Sequence, residues 1–104
     1  MGFQIGGAIL DFVVLGILSR ADEYGYLLTQ QVRELLDVSE SALYPALKRL
    51  QKAQLLTTYD QPFQGRNRRY YRITPSGRET LSQYRQEWTQ FKTQMDRLLE
   101  GGPA

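Results

Sequence analysis

Helical spacing runs through this chain except in one stretch, and that exception decides the fold. The segments 55-LLTTYDQ-61 and 68-RRYYRIT-74 are rich in Thr, Tyr and Arg and have the composition of strands. Between them 62-PFQGRN-67 supplies Pro, Gly and Asn, the residues of a turn. Together they predict a β-hairpin with a basic tip and a basic return strand. A lone hairpin is marginal in water, so this one has to lie on the helices around it.

Three helices are expected before it. The run 8-AILDFVVLGILS-19 is apolar nearly all round, which marks a central helix from about Ile5 to Ser19. It is shorter than the roughly 20 apolar residues of a membrane span, and Asp11 interrupts it. It also has neither the basic flank nor the cleavage site of a signal peptide. The expectation is a cytoplasmic chain without a membrane segment. After the polar turn 20-RADEYG-25, a second helix from Tyr26 to Leu36 places Leu28, Val32, Leu35 and Leu36 on one face. The connection 37-DVSES-41 is rich in N-cap residues, and a third helix runs on to about Ala53.

The last helix is announced by 74-TPSG-77, with Thr74 as N-cap and Pro75 at the first helical position. Leu81, Tyr84, Trp88, Phe91, Met95 and Leu98 then alternate spacings of three and four, an a/d seam of under three heptads. A 104-residue chain buries a modest core, and such a seam is a natural place for two copies to meet. The tail 101-GGPA-104 is expected to be flexible. The expected fold is mainly α with a two-stranded β-hairpin. It is a winged helix-turn-helix over residues 1–74, with a C-terminal dimerisation helix over 75–100.

Charge is distributed unevenly. From Lys48 to Arg72 seven cations (Lys48, Arg49, Lys52, Arg66, Arg68, Arg69, Arg72) face one acid, Asp60, so seven minus one leaves +6. The whole chain carries only +2. A basic block of this kind suits a polyanion, although the same charges could form an ordinary solvated face. At about 100° per residue, Leu43, Leu47 and Leu50 share one side of the third helix. Ser41, Tyr44, Pro45, Lys48 and Lys52 lie on the other side, with Arg49 at its edge. Small hydroxyls and an aromatic ring near a helix start, followed by cations, match a helix entering a major groove. Arg66 and Arg68 flank the turn, where they could grip phosphate or enter a minor groove. In the return strand Tyr71 and Ile73 face one way, Tyr70 and Arg72 the other, and one pair has to pack on the helices.

Pro45 is the anomaly, because a proline inside a helix removes a backbone donor. If Ser41 caps the helix, Pro45 falls at the edge of its first turn; if Ser39 caps it, Pro45 is interior and a kink is expected. Chemistry is narrower still. The chain has no Cys and no His, which removes thiol catalysis, thiolate metal sites and the commonest general base. No phosphate-binding loop is present either. No cofactor, no metal and no enzymatic activity are expected.

The strings 24-YGYLLTQQV-32, 43-LYPALKRLQK-52 and 69-RYYRITPSG-77 resemble the PadR family of bacterial transcriptional regulators, in order and spacing, from about Leu10 to Leu99. The resemblance implies a homodimeric winged-helix repressor of its compact subgroup, with one C-terminal helix. In the family the first and last helices carry the dimer contacts, which makes Phe12, Leu81, Tyr84, Trp88, Phe91, Met95 and Leu98 the candidate dimer-interface or effector-binding residues. With it, the candidate DNA contacts are Tyr26, Ser39, Ser41, Tyr44, Pro45, Lys48, Lys52, Arg66, Asn67 and Arg68, on an inverted-repeat operator in double-stranded DNA. One position departs: Gln54 stands where the family has the glycine that closes the recognition helix. Some drug-responsive members have a tryptophan matching Trp88, where planar aromatic effectors stack at the dimer centre. Trp88 can equally be a plain interface anchor, and Asp96 and Asp11 are the acids placed to counter a cationic effector. The alternative from another class is a winged-helix protein-interaction module that does not read an operator.

Overall fold

The computed structural model describes residues 7–101. Helix α1 (Gly7–Arg20) is followed by a short strand β1 (Glu23–Tyr24), then by α2 (Gly25–Leu35) and α3 (Glu40–Lys52). The wing strands β2 (Leu56–Phe63) and β3 (Arg66–Ile73) follow, and α4 (Pro75–Leu99) completes the chain. The expected start of the first helix, Ile5 and Gly6, lies outside the described residues, as do 102–104 of the tail.

Helix α1 is central, as its all-round apolarity requires: it packs on α2, α3, α4 and β3. Val14, Leu15 and Leu18 from α1 join Leu28 and Val32 of α2, Leu43, Leu47 and Leu50 of α3, and Leu56, Ile73 and Leu81 in one buried cluster. Full burial of side chains of this kind contributes about 1.5–3 kcal/mol each. None of the described helices is long and apolar enough to cross a membrane.

The sheet differs from the expected hairpin in two respects. First, β1 pairs with β3, so the order is β1-β3-β2 with three antiparallel strands. Glu23 and Tyr24 lie in what reads as a polar turn, and two residues are too few to show strand periodicity. Second, the turn contracts to Gln64 and Gly65, both at positive φ (51° and 80°), while Phe63 pairs with Arg66. This is the primed two-residue turn that matches the twist of a hairpin. Pro62 therefore lies within a strand, tolerated because β2 is an edge strand.

Ser39 is the cap of α3: its side chain accepts a hydrogen bond from the Ala42 amide at 3.2 Å. Pro45 is consequently interior, and α3 is continuous across it to Lys52. The bond it forgoes is the one to the Ser41 carbonyl, on the exposed side of the helix.

At the exit of α3, Gln54 does what a glycine would. Its φ is 64°, so a glutamine adopts the left-handed conformation that glycine ordinarily supplies. The Leu55 amide bonds back to the Leu50 carbonyl at 2.9 Å, closing the helix in a Schellman-type turn. The strain is held by tertiary bonds: the Thr74 hydroxyl donates to the Gln54 carbonyl at 2.7 Å, and the Thr74 amide to the Leu55 carbonyl at 3.1 Å. Thr74 also caps α4, accepting from the Gly77 amide at 2.9 Å. Gly77 lies so close to this junction that an added Cβ would collide with the Leu55 carbonyl oxygen and the Ile73 side chain. Glycine is therefore needed there for close approach. Replacing Gln54 by Gly should remove the left-handed penalty and stabilise the chain by about 1 kcal/mol. Thermal unfolding of Gln54→Gly should show a higher midpoint; an unchanged or lower midpoint would mean the glutamine side chain contributes more than its backbone costs.

Candidate nucleic-acid interface

Helix α3 has the two faces its sequence implies. Leu43, Ala46, Leu47 and Leu50 are buried, while Ser41, Tyr44, Pro45, Lys48 and Lys52 are exposed. Ser39 spends its hydroxyl on the cap and shares a 2.9 Å hydrogen bond with the Ser41 hydroxyl, so both are held at the helix start. Tyr26, at the start of α2, is 63% exposed and its phenol oxygen accepts from Gln30 Nε2 at 2.9 Å. Pro45 and Arg49, one turn apart, border a groove of about 530 Å³ lined also by Ile9, Leu10, Leu36 and Val38.

Of the seven cations between Lys48 and Arg72, three are tied to carboxylates. Arg49 grips Asp11 with two hydrogen bonds of 2.8 Å, Arg72 Nε lies 3.0 Å from Asp22, and Arg69 Nε lies 3.7 Å from Asp60. Seven minus three leaves Lys48, Lys52, Arg66 and Arg68, none with a carboxylate within ion-pair distance among the described residues. The sequence counts charges; only the fold shows which are already neutralised.

The wing strands alternate as expected. Tyr71 and Ile73 face the helices, and Tyr70 and Arg72 the other side. The outer side forms a ladder in which Tyr59 stacks on Tyr70 (5.4 Å, 12°), Tyr70 meets Tyr24 (5.9 Å), and Tyr24 meets Tyr26 (6.4 Å). Asp22 accepts from the Tyr59 hydroxyl at 2.7 Å and from Arg72. The Arg68 guanidinium lies between two rings, 3.8 Å from the Phe63 centroid and 4.2 Å from that of Tyr24. Such cation–ring pairs contribute about 0.5–1 kcal/mol at exposed sites, and they stiffen the wing. Arg66 and Asn67, at the tip, are exposed. Sequence reading misses this ladder because Asp22 and Tyr24 reach it only through β1.

The residues expected at a dimer contact divide. Leu81 belongs to the chain's own core and is buried; it is not part of an exposed seam. Phe12 and Tyr84 pack against that core, with ring centroids 5.9 Å apart. Further along α4, Trp88 is 38% exposed and its ring centroid is 6.2 Å from that of Phe91. Phe91 and Met95 are half-buried, and Leu98 is exposed. Asp96 lies 3.6 Å from Lys92 and Asp11 is held by Arg49, so both acids expected to face an effector have cationic partners within the chain.

A helix-turn-helix whose second helix turns a polar, cationic face outward beside a basic wing defines a winged-helix nucleic-acid-binding protein. The model of the transcriptional regulator PadR-like family matches residues 14–83. A Streptococcus mutans protein of known crystal structure superposes with a TM-score of 0.89 at 38% identity, covering 100% of this chain and 98% of that one. A PadR-like transcriptional regulator from Bacillus cereus superposes with a TM-score of 0.81 at 34% identity, covering 88% and 92%. A transcriptional regulator of Mycobacterium tuberculosis is 43% identical over 63 residues, 60% of this chain and 59% of its own. The chain belongs to the PadR-like family and is a DNA-binding transcriptional regulator.

Three tyrosines of this scaffold hold their protons above the ordinary phenol range. Burial raises Tyr84, reinforced by the charge of Asp11 and opposed by Arg49. Burial also raises Tyr71, opposed by Arg69, and the hydrogen bond to Asp22 raises Tyr59. A pKa raised by folding means the folded state keeps protons that the unfolded chain releases. Stability from these groups is thus complete below the unfolded phenol value of about 10 and lost as pH rises through the folded values. Thermal midpoints should fall with rising pH above about 10, and Tyr84→Phe should flatten that fall; equal slopes in the variant and the parent chain would refute the assignment to Tyr84.

Proposed function

We propose that the chain is a dimeric, sequence-specific repressor that reads an inverted-repeat operator with α3 and steadies itself on DNA with the wing. The observation that carries this reading is that four cations of the basic block have no carboxylate partner among the described residues, two on the exposed face of α3 and two on the wing. Lys48, Lys52 and Arg66 suit phosphates, while Ser41 and Tyr44 stand nearest the helix start, where base edges are read. Arg68, held between two rings, would offer the edge of its guanidinium to a groove or phosphate. Two copies of α3 related by a two-fold axis would match the two half-sites. The exposed apolar side of α4 from Trp88 to Leu98 supports pairing there, and Trp88 with its mate would frame a site for a planar aromatic effector.

Gel retardation with the DNA upstream of the protein's own gene tests the operator reading. Removing one cation that neutralises a phosphate should lower the slope of log affinity against log salt by about 0.9. Lys48→Ala with Arg66→Ala should therefore weaken binding and reduce the slope by nearly twice that. Retained affinity and slope would remove both residues from the interface, and failure of the parent chain to retard any such fragment would favour a protein-interaction module instead.

The effector site is tested by tryptophan fluorescence, since Trp88 is the only tryptophan. Planar aromatic dyes at micromolar concentration should quench it saturably and weaken operator binding together. Absence of quenching would leave Trp88 as an interface anchor alone.

A further inference from the structure

Asp11 is the charged residue of the buried set, 6% exposed on the central helix. Both of its carboxylate oxygens accept hydrogen bonds from Arg49, Oδ2 from Nη1 and Oδ1 from Nη2, each at 2.8 Å. A fork-to-fork pair of this kind fixes orientation as well as distance. Its two ends lie on elements with different tasks. Arg49 is next to Lys48 on α3 and lines the groove beside Pro45 on the side facing α1. Asp11 is next to Phe12, whose ring meets Tyr84 of α4, and Tyr84 lies within electrostatic reach of both Asp11 and Arg49. The pair thus joins the α1–α4 layer to the recognition helix. An unpaired buried carboxylate is costly, so burial of Asp11 favours arrangements of α3 in which Arg49 reaches it.

We propose that Arg49 is a positioning residue and that Asp11–Arg49 is the joint that sets the angle of α3 relative to α1 and α4. Through it, any rearrangement of the Phe12–Tyr84 contact reaches Lys48 and Tyr44. Arg49 is then withheld from DNA although its side chain is more than half exposed. This rests on the reading of α3 as the operator-reading helix.

Opposite signs make the test decisive. If the pair were only a charge neutraliser, Asp11→Asn would remove a negative charge, release Arg49 toward phosphate and strengthen DNA binding. As a joint, Asp11→Asn weakens it. The experiment is a salt-series gel retardation with the upstream DNA, on the full chain and on Asp11→Asn, Arg49→Gln and the double variant, with folded fraction checked by circular dichroism. The double variant keeps an amide pair in place of the ion pair and leaves no buried charge. It serves as the folded reference if either single variant is destabilised. Expected losses are roughly 2- to 30-fold, the range of mutations that modulate coupling. The salt slope should be unchanged in all three, and the double variant should lose no more than the worse single one. Tighter binding by Asp11→Asn, or a slope reduced by about 0.9 in Arg49→Gln, would make Arg49 a phosphate contact and overturn the joint. No retardation by the parent chain would instead overturn the operator reading itself.

Discussion

Four elements of this fold meet at one peptide, the one joining Gln54 to Leu55. Helix α3 ends there, because Gln54 turns left-handed and the Leu55 amide returns to the Leu50 carbonyl. Strand β2 begins there with Leu56, and β3 closes on it through the Thr74 amide. Helix α4 starts from it, with Thr74 holding the Gln54 carbonyl while capping the helix and Gly77 pressed against Leu55. The relative placement of α3, the wing and α4 therefore depends on a few hydrogen bonds around one strained residue. Strain of about 1–2 kcal/mol is sustainable because the surrounding bonds over-determine the conformation.

Electrostatics follow from that placement. A run of seven cations would repel itself if left unpaired, and the fold disperses it by giving three of them carboxylates, two of which come from distant parts of the chain. Asp11 and Asp22 come from before the helix-turn-helix, so these neutralising charges arrive only when the tertiary structure forms. Of those seven, the four left without a carboxylate among the described residues lie on one face of α3 and on the wing. The local charge of that surface is thus set by the fold and differs from the +2 of the whole chain.

Much of this is legible in the sequence. Helical period in Leu43, Leu47 and Leu50 and strand composition in 68-RRYYRIT-74 set the element order, and 74-TPSG-77 marks the start of α4 to the residue. Most of the differences come from long-range pairing. Strand β1 exists because Glu23 and Tyr24 find Tyr71 and Tyr70 across the whole length of α2, α3 and β2, and nothing local announces it. Leu81 fits a heptad seam by spacing, yet burial in the chain's own core removes it from any exposed face. Arg49 lies at the edge of the cationic face by angle, and its partner is 38 residues away. Spacing leaves the choice between Ser39 and Ser41 as cap open, since both residues can cap, and the bond to Ala42 decides it.

These misses bear on how such a protein could be regulated. An outward-facing cation placed by helical angle alone would be assigned to DNA, and the hydrophobic seam to dimerisation, as two independent surfaces. Tertiary pairing brings the two within one residue of each other on α1. Asp11 and Phe12 are consecutive on α1, so their side chains point about 100° apart: one meets Arg49 on α3 and the other meets Tyr84 on α4. A helix that packs on α2, α3, α4 and β3 has little room to shift without moving its neighbours. If the Asp11–Arg49 pair acts as the proposed joint, a ligand or partner that binds one arrangement of the α1–α4 layer more tightly also biases α3, because coupling between two sites is reciprocal. The Asp11–Arg49 and Phe12–Tyr84 contacts, made by neighbouring residues of α1, thus lie between the apolar side of α4 and the polar face of α3.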